Sequence, residues 1–143
     1  MPALAIALLL ATAPAQPPQT WKGVLCAHDP GRNALVGSDI YYSYGAAKVW
    51  IVGRETLIPV DLTKLVEAKG KPFYTGNDTV VLNGRTYRKF GLPRVLKAQE
   101  LEAKPEGFKD GVPFYRAGGG DEQVLYALSQ AVGCEFQPYA LTR

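Results

Sequence analysis

Two cysteines, Cys26 and Cys134, stand near opposite ends of the chain, and their state limits what the residues between them can fold into. Joined, they close a loop of roughly 100 residues and hold an N-terminal segment against a C-terminal one. Whether they join depends on the compartment, and the start of the chain bears on that. Ala3 to Ala11 is an unbroken apolar run with Leu8-Leu9-Leu10 at its centre, and Ala13-Pro14-Ala15 follows in an A-x-A pattern. That is the form of a secretory leader, shorter than the roughly 20 residues a membrane-spanning helix needs. Its n-region departs from the usual form in having no Lys or Arg, and Gly23-Val24-Leu25 before Cys26 is not a lipidation box. Residues 1–15 are therefore expected to be a signal peptide, and the mature chain an exported protein, secreted or periplasmic, with no later apolar run of membrane-spanning length. In an oxidising compartment an even cysteine count reads as a disulfide, with two buried free thiols as the alternative.

Residues 16–143 have the length of one ordinary domain. A hydrophobic content of 47% against 20% charged residues excludes a disordered chain. The net charge of +3 permits an anionic partner without demanding one.

Short aromatic and apolar runs recur between glycines and prolines. Gly37-Ser38-Asp39-Ile40-Tyr41, Gly70-Lys71-Pro72-Phe73-Tyr74 and Gly111-Val112-Pro113-Phe114-Tyr115 each precede a turn and a further apolar run. The segments 37–69, 70–110 and 111–139 thus read as a degenerate internal repeat, too irregular for a solenoid. Thr79–Leu82 and Arg85–Arg88 flank Asn83-Gly84, a pair suited to the positive φ angles of a type I′ hairpin turn. Asp39–Tyr44 with Lys48–Val52 reads as a second hairpin, and Val24–Cys26 and Glu135–Tyr139 as terminal strands tied by the disulfide. One short helix is expected over Leu62–Lys69, with Asp61 as its N-cap and Gly70 past its end. The segment 121–132 carries signals of both kinds: helical spacing at Val124, Leu128, Ala131 and Val132, and the repeat's strand at Gln123–Leu128, which is the preferred reading. The fold class expected is mainly β, a small barrel or sandwich of hairpins with one short helix and one disulfide, in a single domain.

Catalytic signatures are weak throughout. His28 is the only histidine, and Ala27-His28-Asp29-Pro30-Gly31 has the composition of a turn. None of Ser38, Ser43 and Ser129 sits in a nucleophile elbow. Asp110, Asp121 and Glu122 around Gly118-Gly119-Gly120 lack calcium-loop spacing, and no phosphate loop is present. No cofactor and no metal is expected. Asn77-Asp78-Thr79 matches a glycosylation sequon, meaningful only in a eukaryotic host.

The segment from Gly84 to Lys97 stands out. It carries Arg85, Arg88, Lys89, Arg94 and Lys97 with no acid between Asp78 and Glu100, and Tyr87 and Phe90 interleave. Basic side chains grip phosphate or carboxylate and aromatic planes stack on bases or sugars, so Arg85, Tyr87, Arg88, Lys89, Phe90 and Arg94 are the candidate binding residues. Strand alternation divides them, with Arg85, Tyr87 and Lys89 on one face and Arg88 and Phe90 on the other. A second candidate is the aromatic face of Ile40, Tyr42 and Tyr44. The chain therefore reads as a non-catalytic binding or structural module of the envelope or extracellular space. An anionic polysaccharide or other envelope component is the partner class that fits. The alternative is a small secreted hydrolase with an unconventional site around His28, Asp29 or Asp121.

Overall fold

The computed structural model describes residues 13–43, 47–120 and 123–142. The apolar run of the expected leader lies outside the described residues, as do Tyr44, Asp121 and Glu122. Among the described residues no helix is long and apolar enough to cross a membrane.

The fold is mainly β and consists of two antiparallel sheets. The first is a meander of β1 (Trp21–Asp29), β2 (Ala34–Ser43), β3 (Lys48–Val52) and β4 (Leu57–Pro59), in that spatial order. Its β1–β2 hairpin is longer than the sequence suggests, pairing Trp21 with Tyr42 at one end and Asp29 with Ala34 at the other. The turn-like composition at Ala27–Gly31 misleads here. Ala27, His28 and Asp29 complete β1, and the chain reverses one step later, where the Asp29 Oδ1 accepts from the Gly31 amide at 2.9 Å and Asn33 takes a φ of 48°.

The second sheet holds β5 (Val80–Leu82), β6 (Arg85–Lys89), β7 (Arg94–Val95), β8 (Gly107–Lys109), β9 (Val112–Arg116), β10 (Val124–Gln130) and β11 (Glu135–Leu141). The order is β5-β6-β11-β10-β9-β8, with β7 also pairing β11. The sheet curls until its outer strands nearly meet. Asn83 Nδ2 donates to the Glu106 carbonyl at 2.8 Å, and a side chain on Gly107 would come within 3.1 Å of Leu82 Cδ2. The result is a nearly closed barrel. Its turn at Asn83-Gly84 has φ values of 52° and 73°, the type I′ pattern expected.

Alternation along β9 and β11 packs both faces of this sheet. Val112, Phe114, Leu125 and Tyr139 fill the barrel with Val80, Leu82 and Tyr87. On the opposite face Tyr115, Leu128 and Phe136 pack with Cys26 and Leu35 of the meander. Edge-on ring contacts mark each layer, Phe114 to Tyr139 at 5.1 Å and Tyr115 to Phe136 at 6.2 Å. Cys26 and Cys134 form the disulfide in that second layer, where β1 meets the turn before β11. The Cys26 amide donates to the Ala131 carbonyl at 3.0 Å and the Gly133 amide to the Val24 carbonyl at 2.8 Å, so backbone bonds flank the covalent link.

Two local expectations change. Leu62–Lys64 is only a 3₁₀ turn, although Asp61 caps it by accepting from the Thr63 amide at 3.0 Å. The helix stops because the amides of Ala68 and Lys69 donate to the Leu128 and Ser129 carbonyls, and the Glu67 carboxylate accepts from the Ala131 amide. Amides bound there cannot also donate to carbonyls four residues back, as a helix over this segment would require. Among the described residues the one α-helix, α1 (Pro72–Thr75), begins instead on a proline and inserts Phe73 into the barrel core. Within 123–132 the strand prevails over the helix, because β10 hydrogen-bonds to β9 along one edge and to β11 along the other. The segment 37–69 lies in the meander and the turn after it, while strands of 70–110 and 111–139 interleave in the barrel sheet.

Candidate functional site

Strands β6 and β7 occupy the same edge of β11 in succession. Lys89 pairs with Tyr139, and Arg94 pairs with Phe136. The residues between them, Phe90 to Pro93, have no room in that ladder and bulge outward opposite Gln137 and Pro138. Gly91 takes a φ of 69°, which turns the chain out of the sheet. The root of the bulge is fixed: the Phe90 amide donates to the Pro138 carbonyl at 3.0 Å and the Leu96 amide to the Cys134 carbonyl at 3.1 Å. Gln137, only 2% exposed, donates from Nε2 to the carbonyls of Phe90 and Gly91 at 3.3 and 3.0 Å. Its Oε1 accepts from the Tyr74 hydroxyl at 3.3 Å.

What this scaffold displays is apolar and basic. Leu92 is 83% exposed, Val95 76% and Phe90 55%. Arg88 and Arg94 are exposed on the flanking strands, and among the described residues no carboxylate pairs with either. Arg88 and Phe90 share a shallow depression of about 340 Å³ with Ala140, Leu141 and Thr142. On the other side of β7 lies a larger groove of about 740 Å³ whose lining includes Val24, Gly37, Val95, Leu96 and Ala98.

The six residues selected from the sequence therefore separate. Arg88, Phe90 and Arg94 are brought together around the bulge. Tyr87 is 4% exposed and belongs to the barrel core, so it offers no stacking plane; alternation had put it on a face that proves to be the inside. Lys89 is engaged already, its Nζ donating to the Tyr74 carbonyl at 2.6 Å and lying 3.6 Å from the centre of the Tyr74 ring. Burial lowers the Lys89 pKa and raises that of Tyr74, the latter with help from the Glu135 charge. Arg85 lies apart, beside Glu106 and Arg116 at the barrel seam. Leu92 and Val95, the most exposed large apolar residues of the loop, were not selected from the sequence. The signal for them was Phe90-Gly91-Leu92-Pro93-Arg94-Val95 itself, where apolar residues alternate with turn formers inside an acid-free window.

The remaining candidates are quieter. His28 Nε2 lies 3.0 Å from Asn33 Oδ1 and its ring meets Phe108 edge-on at 5.1 Å. Asp29 turns to the Gly31 amide and to Arg32 rather than to the imidazole. Ser129 is sealed in the core, its hydroxyl donating to Glu135 at 3.0 Å. Ile40 and Tyr41 are both buried although they point to opposite faces of β2, and Tyr42 is half-covered beside Trp21. Among the described residues no group of three or more His, Cys, Asp or Glu side chains is placed to hold a metal ion. No family model matches this chain, and no curated protein or solved structure matches it.

Proposed function

We propose that this protein is an exported, non-catalytic binding module that recognises an anionic component of the envelope or extracellular space through the β6–β7 bulge. The observation that carries the reading is the pair Arg88 and Arg94, exposed and, among the described residues, without carboxylate partners, on either side of a loop whose backbone is pinned from beneath. A planar guanidinium donates two parallel hydrogen bonds to phosphate or carboxylate, and a fixed backbone lowers the ordering cost of binding. Export is supported by the apolar leader and by a disulfide of the kind that persists in oxidising compartments.

The test is titration against anionic and neutral polysaccharides and single-stranded nucleic acid at low and physiological salt. Binding to anionic ligands is expected to weaken as salt rises, because exposed charges are screened over about 8 Å at physiological strength. Charge reversal at Arg88 and Arg94 is expected to abolish it. Binding that ignores salt and survives both reversals would retire the reading, and turnover lost on replacing His28 with the fold intact would favour the hydrolase.

A further inference from the structure

From the same bulge we infer that the anionic partner is a lipid surface, with Leu92, Phe90 and Val95 entering the interface and Arg88, Arg94 and Lys97 meeting the headgroup phosphates. The inference rests on the binding reading above and narrows it. Three observations favour lipid over a hydrated glycan or a folded protein. First, the exposed side chains at the apex are mainly aliphatic. Leu92 and Val95 lack the flat π-face that stacks on a sugar ring, whereas acyl chains take any apolar side chain. Second, Leu92 sits on an outward excursion of the sheet edge, with Phe90 and Val95 at its two feet. A convex tip enters a soft surface more readily than it forms the flat, closely packed core of a protein interface. Third, basic residues flank the tip along the chain. Arg88 precedes the tip, Arg94 and Lys97 follow it, and no acid lies between Asp78 and Glu100. That charge pattern complements an anionic leaflet, where each nearby basic residue adds attraction and the apolar tip supplies the second signal that stable anchoring needs.

The structure around the tip fits this use. Anchoring by Gln137, Pro138 and Cys134 keeps Phe90 and Leu96 attached to β11, so the apex cannot fold back over the sheet without breaking those bonds. Solvent-facing apolar groups held open in this way cost free energy in water, which a lipid interface returns.

Vesicle sedimentation with the purified exported protein, freed of residues 1–15, decides the matter. Vesicles of phosphatidylcholine containing phosphatidylglycerol are expected to carry the protein down, and vesicles of phosphatidylcholine alone are not. Leu92→Asp should reduce partitioning about tenfold by removing an apolar contact and adding a repelled charge. Arg94→Glu should reduce it by about tenfold or more. Both positions are exposed, and far-UV circular dichroism with an intact disulfide confirms that each variant folds. A Leu92→Trp variant should show a blue-shifted emission on anionic vesicles and quenching by brominated acyl chains. Sedimentation that is unchanged by Leu92→Asp, or a Leu92→Trp emission that stays at its aqueous position, would overturn insertion. Absence of vesicle binding alongside salt-sensitive binding to a soluble acidic polysaccharide would overturn the lipid inference and leave the anionic-ligand reading standing. Absence of both would end the two together.

Discussion

Gln137 Nε2 donates to the Gly91 carbonyl over 3.0 Å, joining one of the most deeply buried polar side chains to one of the most open loops. A buried amide is costly unless its hydrogen-bonding groups are used, and Gln137 uses both ends, donating to the bulge and accepting from Tyr74. The loop is thus held by the core and not by its own contacts. Replacement by leucine keeps the volume and removes the bonds. Gln137→Leu is expected to lower stability by about 1–2 kcal/mol in urea unfolding, because the freed carbonyls of Phe90 and Gly91 can turn to water while the half-buried Tyr74 hydroxyl loses its acceptor. Amide exchange should quicken at Gly91 to Leu96 and stay slow in the barrel strands. Unchanged exchange there would show that the loop holds its shape without the anchor.

The disulfide spans a sequence separation of 108 residues and lies in the layer between the two sheets. On the chain-entropy account, a link of that length stabilises by about 4–5 kcal/mol, an upper figure because backbone bonds beside it persist without it. The Cys26→Ser, Cys134→Ser double variant should therefore lose about 3–4 kcal/mol, read as a lower urea midpoint. Both cysteines are buried, so mild reductant on the native protein should leave the bond intact until unfolding begins. Rapid reduction of the folded protein, or a double variant as stable as the parent, would contradict this.

The type I′ hairpin serves barrel closure as well as its own turn. Asn83 takes a φ of 52° and its side chain reaches Glu106 beside β8, at the seam where the curled sheet nearly meets itself. Asn83→Ala loses a residue that tolerates positive φ and the one side-chain bond that Asn83 makes across the seam. The expected cost is about 1–2 kcal/mol in thermal or urea unfolding, with Asn83→Gly recovering the backbone part alone. Equal stability of the alanine and glycine variants would mean that the turn's φ is not what matters.

These cases show which features the sequence carries. Asn83-Gly84 and the cysteine pair were legible because a turn type and an even thiol count are local or covalent facts. The expected helix at Leu62–Lys69 was not, because Glu67, Ala68 and Lys69 bond to the end of β10, some sixty residues away. His28 looked like a turn residue because Pro30 and Gly31 follow it, whereas its partner Leu35 is visible only once β1 and β2 pair. At the candidate site, the acid-free window coincides with the segment that forms the bulge. Alternation divides Arg88 and Phe90 from Arg85, Tyr87 and Lys89 but does not say which face of β6 is interior, since that depends on the closure of the barrel. Gln137 gave no signal at all, being one polar residue in an apolar strand.

Alkaline pH should unfold this protein through its tyrosines. Tyr139 is pushed up to about 12 by burial first and then by the neighbouring Tyr74 and Asp78, and burial raises Tyr115 further. Tyr74 is raised as well, by burial and by the Glu135 charge. In the unfolded chain each ionises near the ordinary value of about 10. Above that pH the unfolded state therefore holds fewer protons than the native state, and stability falls as pH rises. The contribution is fully present below about pH 10 and is lost as pH climbs toward the folded values, at up to ~1.4 kcal/mol per pH unit for each tyrosine. Lys89, with its lowered pKa, acts the other way but is one partly exposed group against three phenols. Urea midpoints measured from about pH 8 to about pH 12, with phenolate absorbance followed alongside, should show a steep decline that begins near 10. Tyr139→Phe should flatten that decline and leave neutral-pH stability almost unchanged or slightly higher, because among the described residues the Tyr139 hydroxyl has no hydrogen-bond partner to lose. A midpoint that stays level through this range, or Tyr139 phenolate appearing near pH 10 in the folded protein, would show that the phenol is not held neutral by the barrel interior.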